Sequence, residues 1–196
     1  MGEQANKYLK PFLRGRKIRP WKQEDVSEYI IYADRDFDVS KAPNVIKKHL
    51  NENKRALEER ATVPESHYWY QLMQPQVGFV NDFENLEKIV WRDISNKPVT
   101  TLVGKKIYLD MTCYYIPIPD KAMCAWMNSD FFLEYLRLIS SSLGPAVRWK
   151  KQWIEQVYFY PEKMKKQLEK IYDLSIKDPI NGKLELNILI NKFFKN

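Results

Sequence analysis

Apolar residues recur along this chain at two spacings, and the spacing switches several times. Glu28-Tyr29-Ile30-Ile31-Tyr32-Ala33 is β-branched and aromatic and predicts a strand, as do Lys88-Ile89-Val90-Trp91 and Cys113-Tyr114-Tyr115-Ile116. Thr101-Leu102-Val103 and Lys106-Ile107-Tyr108-Leu109 flank Gly104-Lys105, the pattern of a hairpin with a two-residue turn. Val157-Tyr158-Phe159-Tyr160-Pro161 predicts a closing edge strand. The helical spacing begins at Pro43, with Ile46, Leu50 and Leu57 as one apolar side of a helix that runs to about Arg60 and is broken by Pro64. Lys121 to Leu143 predicts two helical pieces. Ala122, Ala125, Trp126 and Met127 belong to the first; Asn128 or Ser129 caps the second, which buries Phe132, Leu136, Ile139 and Leu143 before Gly144-Pro145. After Glu162, Met164, Leu168, Ile171 and Leu174 mark one amphipathic helix. Leu184, Ile188 and Leu189 mark another, and Asp178-Pro179-Ile180-Asn181-Gly182 forms the break between them.

Short strands and helices alternating irregularly predict an α+β fold: a mixed small sheet with hairpins and packed helices, followed by a short helical tail. The expected division is a domain over residues 1–160 and a tail over 161–196. At 196 residues and 44% hydrophobic content the chain has material for a real core. No apolar run is long enough to span a bilayer, and the N-terminus has no apolar stretch of a signal peptide. Cys113 and Cys124 lack a second pair and read as reduced thiols, so a cytoplasmic location is expected.

Charge changes this picture more than composition does. In residues 1–22, seven basic residues (Lys7, Lys10, Arg14, Arg16, Lys17, Arg19, Lys22) face one acid, Glu3, which leaves +6 of the chain's +7 in one short segment. Such concentration is the footprint of a polyanion site. Gly15 sits among the cations, where a bare backbone suits close approach or a positive φ. A solvated basic face is the plainer reading, but Leu9, Phe12, Leu13, Ile18 and Trp21 interleave with the charges, which a disordered arm would lack. Cation and aromatic also meet at Arg19 with Trp21, Trp91 with Arg92, and Arg148-Trp149-Lys150-Lys151 with Trp153. These pairs suit phosphate contact and base stacking, or else core rings with snorkelling neighbours.

Signals for catalysis are weaker. Asp36 or Asp38 with Glu52-Asn53-Lys54 has the letters of a metal-dependent nuclease, but Glu52 and Lys54 fall in a predicted helix, where residues two apart do not face each other. The chain has neither a glycine-rich loop for S-adenosylmethionine nor an Asn-Pro-Pro-Tyr-like motif, since Ile116-Pro117-Ile118-Pro119 is not one. Gly104-Lys105-Lys106 lacks the rest of a phosphate loop, and His49 and His67 make no triad or zinc pattern.

The blocks that remain resemble, in order, the TaqI-like target-recognition (specificity) domain of adenine-specific DNA methyltransferases and type IIG restriction–modification enzymes. Tyr8-Leu9-Lys10-Pro11-Phe12-Leu13-Arg14-Gly15-Arg16-Lys17-Ile18 resembles the family's opening, with Lys17 where an Asp is common. The helix before Trp69-Tyr70-Gln71-Leu72, the Lys88-to-Ser95 strand and the Asn128-Ser129-Asp130 helix start follow, the last with Met127 in place of a leucine. Ile139-to-Gly144 and Arg148-to-Val157 resemble the closing block. The resemblance covers roughly residues 7–160. It implies sequence-specific binding of double-stranded DNA by a module without catalysis of its own. A methyltransferase or endonuclease domain elsewhere in a longer parent would use S-adenosylmethionine, with Mg²⁺ as a second candidate cofactor and no membrane involved. Arg14, Arg16, Lys17, Arg19, Lys22, Arg148, Lys150 and Lys151 are the expected phosphate or base contacts. Trp21, Tyr70 and Gln152 are further candidates, and Gly15 is the expected loop glycine. Asn128, Ser129, Asp93 and Ser95 are expected to be a cap and a turn. A metal-dependent nuclease domain, or a protein- or RNA-interaction module, is the alternative.

Overall fold

The computed structural model describes residues 3–21, 26–60, 67–157 and 159–194. Lys22, the Pro64 helix break and Tyr158 lie outside the described residues. The helices are α1 (Glu3–Asn6), α2 (Asn44–Glu52), α3 (Lys54–Glu58), α4 (Val80–Asn85), α5 (Lys121–Met127), α6 (Asp130–Ile139), α7 (Lys151–Ile154), α8 (Lys165–Lys177) and α9 (Pro179–Phe194). The strands are β1 (Leu9–Leu13), β2 (Tyr29–Ile31), β3 (Lys88–Arg92), β4 (Ile94–Ser95), β5 (Thr100–Val103), β6 (Tyr108–Leu109), β7 (Cys113–Ile116), β8 (Ser142–Leu143) and β9 (Ala146–Arg148). They form three small sheets in the orders β2-β1-β6, β5-β3-β7 and β4-β9-β8. Among the described residues only the β1–β6 pairing is parallel. The chain is α+β, with a helical C-terminal tail. Among the described residues no helix is long and apolar enough to cross a membrane.

Strand β3 explains the arrangement. Its unbroken run Lys88-Ile89-Val90-Trp91 is buried on both faces, as an uninterrupted apolar strand requires. Ile89 and Trp91 point into the largest apolar cluster, with Trp126, Phe132, Leu136, Trp149, Leu168, Tyr172, Leu186 and Ile190. Val90 points the other way, to Leu13, Ile18, Phe83, Val103, Tyr108 and Leu109. A third cluster gathers Ala33, Phe37, Ile46 and Leu50 under Tyr8, Trp69 and Tyr70. Lys88 opens β3 with a buried ammonium that donates to the carbonyls of Leu86 (3.0 Å), Gly104 (3.3 Å) and Phe83 (3.5 Å), closing the end of α4. Burial lowers its pKa from 10.5 to about 8.

Several predicted elements differ in the structure. The expected hairpin over residues 101–109 does not form: β5 pairs with β3, and β6 leaves to run parallel to β1. Lys106, at φ 64°, turns the chain between them, and its amide donates to Phe83. The second helix of the 121–143 stretch stops at Ile139. Ser142-Leu143 instead forms a hairpin with Ala146-Val147 around Gly144, whose φ of 60° the first position of a type II′ turn requires. Ser129 is the cap of α6, accepting from the Phe132 amide at 3.1 Å, while Asn128 exchanges two hydrogen bonds with the Thr100 backbone. The predicted helix over 43–60 is broken at Asn53 into α2 and α3. The edge strand at 157–161 is absent from its described residues, which follow an irregular path.

Helix α9 starts at Pro179, so the predicted break shrinks to Asp178. Gly182 lies inside the helix, where a Cβ would come within 2.6 Å of Ser175 Cα on α8. This close approach turns Gly182, Leu186 and Ile190, four apart, toward α8. Leu184 and Ile188, expected inside, are therefore 56% and 51% exposed. The tail is tied to the body by Lys183–Asp130 (2.6 Å) and by Phe194 stacked on Phe131.

Candidate nucleic-acid interface

Residues 14–19 leave β1 as a short helical turn. A backbone bond from the Lys17 amide to Arg14 (2.8 Å) closes it, and Ile18 anchors it in the core. Gly15 is buried and does not take a positive φ. Its missing side chain makes room for the molecule's own residues: a Cβ there would lie 2.5 Å from Thr112 Oγ1 and 3.2 Å from Arg92 Cβ. The glycine is thus where the basic turn docks on the β6–β7 connection and on the end of β3. Arg14 Nε bonds Glu28 Oε2 at 2.5 Å, and Arg16 Nη2 lies 4.0 Å from the other oxygen. Arg19 Nη1 donates to the Arg16 and Ile18 carbonyls at 2.8 and 3.0 Å, which braces the turn. Arg16, Lys17 and Arg19 are exposed, with the Arg16 side chain at 72%.

The second basic segment is held differently. Arg148 ends β9, opposite Ile94 of β4, and its Nη1 donates to Asp93 Oδ2 at 3.1 Å. Its side chain is only 32% exposed. Lys150 precedes α7, Lys151 is paired with Glu155 at 3.5 Å, and Gln152 is exposed with its carbonyl accepting from Gln156.

Arg92 and Asp93 connect the two segments. Arg92 carries its Cβ beneath Gly15 and donates Nη2 to Ser95 Oγ at 2.9 Å. Burial, and then the charge of Arg19, push its guanidinium below the ordinary value. Tyr114 stacks on Trp91; burial raises its phenol, the Asp93 charge raises it further, and Arg148 opposes. Arg92 under Gly15 and Asp93 against Arg148 therefore join the turn at 14–19 to Arg148 through two consecutive residues, although 134 positions separate Arg14 from Arg148.

Not every predicted site residue is there. Trp21 is 3% exposed, takes φ 71°, sets its ring edge against Tyr172 and accepts from the Tyr172 hydroxyl at 3.2 Å. It is a core ring and offers no stacking face. Trp91 and Trp149 are likewise buried, each indole donating to a backbone carbonyl. Tyr70 packs on the third apolar cluster, stacked on Tyr68 with ring centroids 5.5 Å apart. It shares a cavity of about 610 Å³ between β1, β2, α2 and α3 with Arg14, His49 and Arg60. Arg92 and Glu28 are the residues that sequence reasoning missed at the junction. The only local signal was Arg92 beside Trp91; Glu28 had none, because its ion pairs span 14 and 12 positions.

The nuclease letters are used locally. Asp38 caps a short turn, accepting from the Ser40 amide (2.9 Å) and the Ser40 hydroxyl (2.6 Å), and the hydroxyl's hydrogen bond holds its carboxyl below the usual range. Glu52 and Lys54 face Lys48 and Glu58 one turn away along α2 and α3. Among the described residues no group of three or more His, Cys, Asp or Glu is placed to hold a metal ion.

Comparison with known proteins adds a relationship to this geometry. No curated protein matches the chain. A solved structure of the type IIL restriction–modification enzyme MmeI in complex with DNA matches with a TM-score of 0.63 at 13% identity, and so shares the fold. The match covers 91% of this chain but 24% of that one, so the chain spans about a quarter of that enzyme's length. The model of the TaqI-like C-terminal specificity domain matches residues 10–171, from β1 into α8. The match takes in both basic segments and the strands that join them, and the chain belongs to the family of TaqI-like C-terminal specificity domains.

Proposed function

We propose that this chain is the DNA target-recognition module of a restriction–modification enzyme, binding double-stranded DNA at a particular sequence. It clamps the duplex in one register so that a methyltransferase or endonuclease domain of the same parent can act on it, flipping and methylating an adenine. The chain itself carries no catalysis. One observation supports this above all: basic segments distant in sequence meet at a single junction built on β3, β4 and β9. Arg14, Arg16, Lys17 and Arg19 serve as phosphate contacts, and Arg148, Lys150, Lys151 and Gln152 act from the other side. MmeI, which shares the fold, was solved with DNA. Base eversion needs a duplex held still, which phosphate contacts on two sides of a rigid junction provide.

The test is selection from a randomised duplex pool at low salt, with sequencing of what the purified chain retains. Enrichment of a short motif supports the reading. Retention of single-stranded RNA in preference to duplex, or of no nucleic acid by folded protein, defeats it.

A further inference from the structure

The two basic segments share one residue that carries no positive charge. The Asp93 amide donates to the Thr112 carbonyl at 2.8 Å, and Thr112 is the residue that packs into the space over Gly15. The Asp93 carbonyl accepts from the Trp149 amide at 2.6 Å, and the Asp93 carboxylate takes Arg148 Nη1 at 3.1 Å. Thr112 sits in a turn closed by Asp110, whose own amide reaches back to Leu13 at the end of β1. Asp93 is therefore bonded on one side to the support of residues 14–19 and on the other to residues 148 and 149. An acid here opposes DNA binding by its charge. Its Oδ1 is buried and, like Arg92 Nε, makes no hydrogen bond among the described residues.

We infer that Asp93 is a positioning residue for sequence discrimination: it fixes the Arg148 guanidinium in one orientation relative to the 14–19 turn, and so sets the register in which the duplex is read. This rests on the reading of the chain as a DNA target-recognition module. The bond runs from one Nη of Arg148 to one oxygen of Asp93, so it ties down one end of the guanidinium and leaves the other donors for a ligand, whereas a free guanidinium follows any phosphate.

The sign of the effect makes the inference testable. Asp93→Asn removes the ion pair with little change in volume and removes one negative charge from a DNA-facing junction. Affinity for the duplex selected by the wild type should fall roughly tenfold. Affinity for a scrambled duplex of equal length should stay level or rise. In an Arg148→Lys background, which keeps the charge and loses the fork, Asp93→Asn should cost nothing further. Arg148→Lys alone should lose the same discrimination, and it decides the matter if Asp93→Asn lowers the melting temperature enough to unfold the chain. Gain on both duplexes, equal loss on both, or additive effects of the two substitutions overturns the inference and leaves DNA recognition standing. A wild type that retains duplex without enriching a motif also overturns it. A folded wild type that retains no duplex at all overturns the proposed function and this inference together.

Discussion

The turn at residues 14–19 and the strand end at residues 148–151 are both basic, but the fold treats them differently. The first is an exposed loop in which Arg14 and Arg16 lean on Glu28 and Arg19 on the loop's own carbonyls. The second continues a paired strand, and its arginine is two-thirds covered and held by Asp93. Long exposed cations contribute charge and tolerate movement; a cation locked to a carboxylate on a sheet contributes direction. The comparison teaches that a basic cluster in sequence need not be a single kind of site. Here an exposed basic turn is docked, through a glycine, beside a basic strand end that is mostly covered.

The substitution with the largest expected effect attacks that docking. Gly15→Val drives a branched side chain into Thr112 and Arg92, and should destabilise the chain by about 2–3 kcal/mol. Chemical denaturation measures this, and loss of duplex binding should accompany it. A variant as stable as wild type would mean that the two segments are not mechanically joined. Next, Arg148→Ala should cost about 1–3 kcal/mol on the selected duplex and far less on a scrambled one, by fluorescence anisotropy. Equal losses would make the two segments alike. Arg16→Ala should weaken binding to every sequence alike and reduce the slope of log K against log salt by about one unit. Glu28→Gln should act in the opposite direction, raising affinity for all duplexes by a few-fold, about 0.5–1 kcal/mol, because the carboxylate that competes for Arg14 and Arg16 is gone.

A separate effect, on stability rather than on binding, concerns β3, the strand that leads to the junction. The pKa of Lys88 is depressed to about 8 in the folded chain from an ordinary 10.5. Below pH 8 both states hold the proton and the cost of burying the ammonium is fully present. Between pH 8 and 10.5 the unfolded chain binds more protons, so stability should rise with pH. Lys88→Met removes this contribution, and the wild-type-minus-variant difference in unfolding free energy should climb across that window. A flat difference would show that the Lys88 ammonium is not destabilised by its burial.

Local patterns carried much of the fold. The apolar runs of β3 and β7 and the helical spacings of α2, α6 and α8 were legible because each depends on residues within a few positions of one another. Pairing was not legible. Gly104-Lys105 looks like a hairpin turn, yet β5 turns to β3 and β6 to β1, because register depends on partners elsewhere in the chain. Likewise α9 is apolar on nearly every side, and only the contact of Gly182 with Ser175 settles that Leu186 and Ile190 go inside while Leu184 and Ile188 stay out.

The same division runs through the candidate interface. By itself the sequence determined the concentration of charge in residues 7–22, the α+β class and the ordered blocks of a specificity domain, since charge and periodicity are written residue by residue. The tertiary structure alone decided that Trp21 is a core ring, that Gly15 yields its space to Thr112, and that Arg92 and Asp93 join the turn at 14–19 to Arg148. Burial and long-range ion pairing are properties of which surfaces meet, and no local window of sequence contains both surfaces.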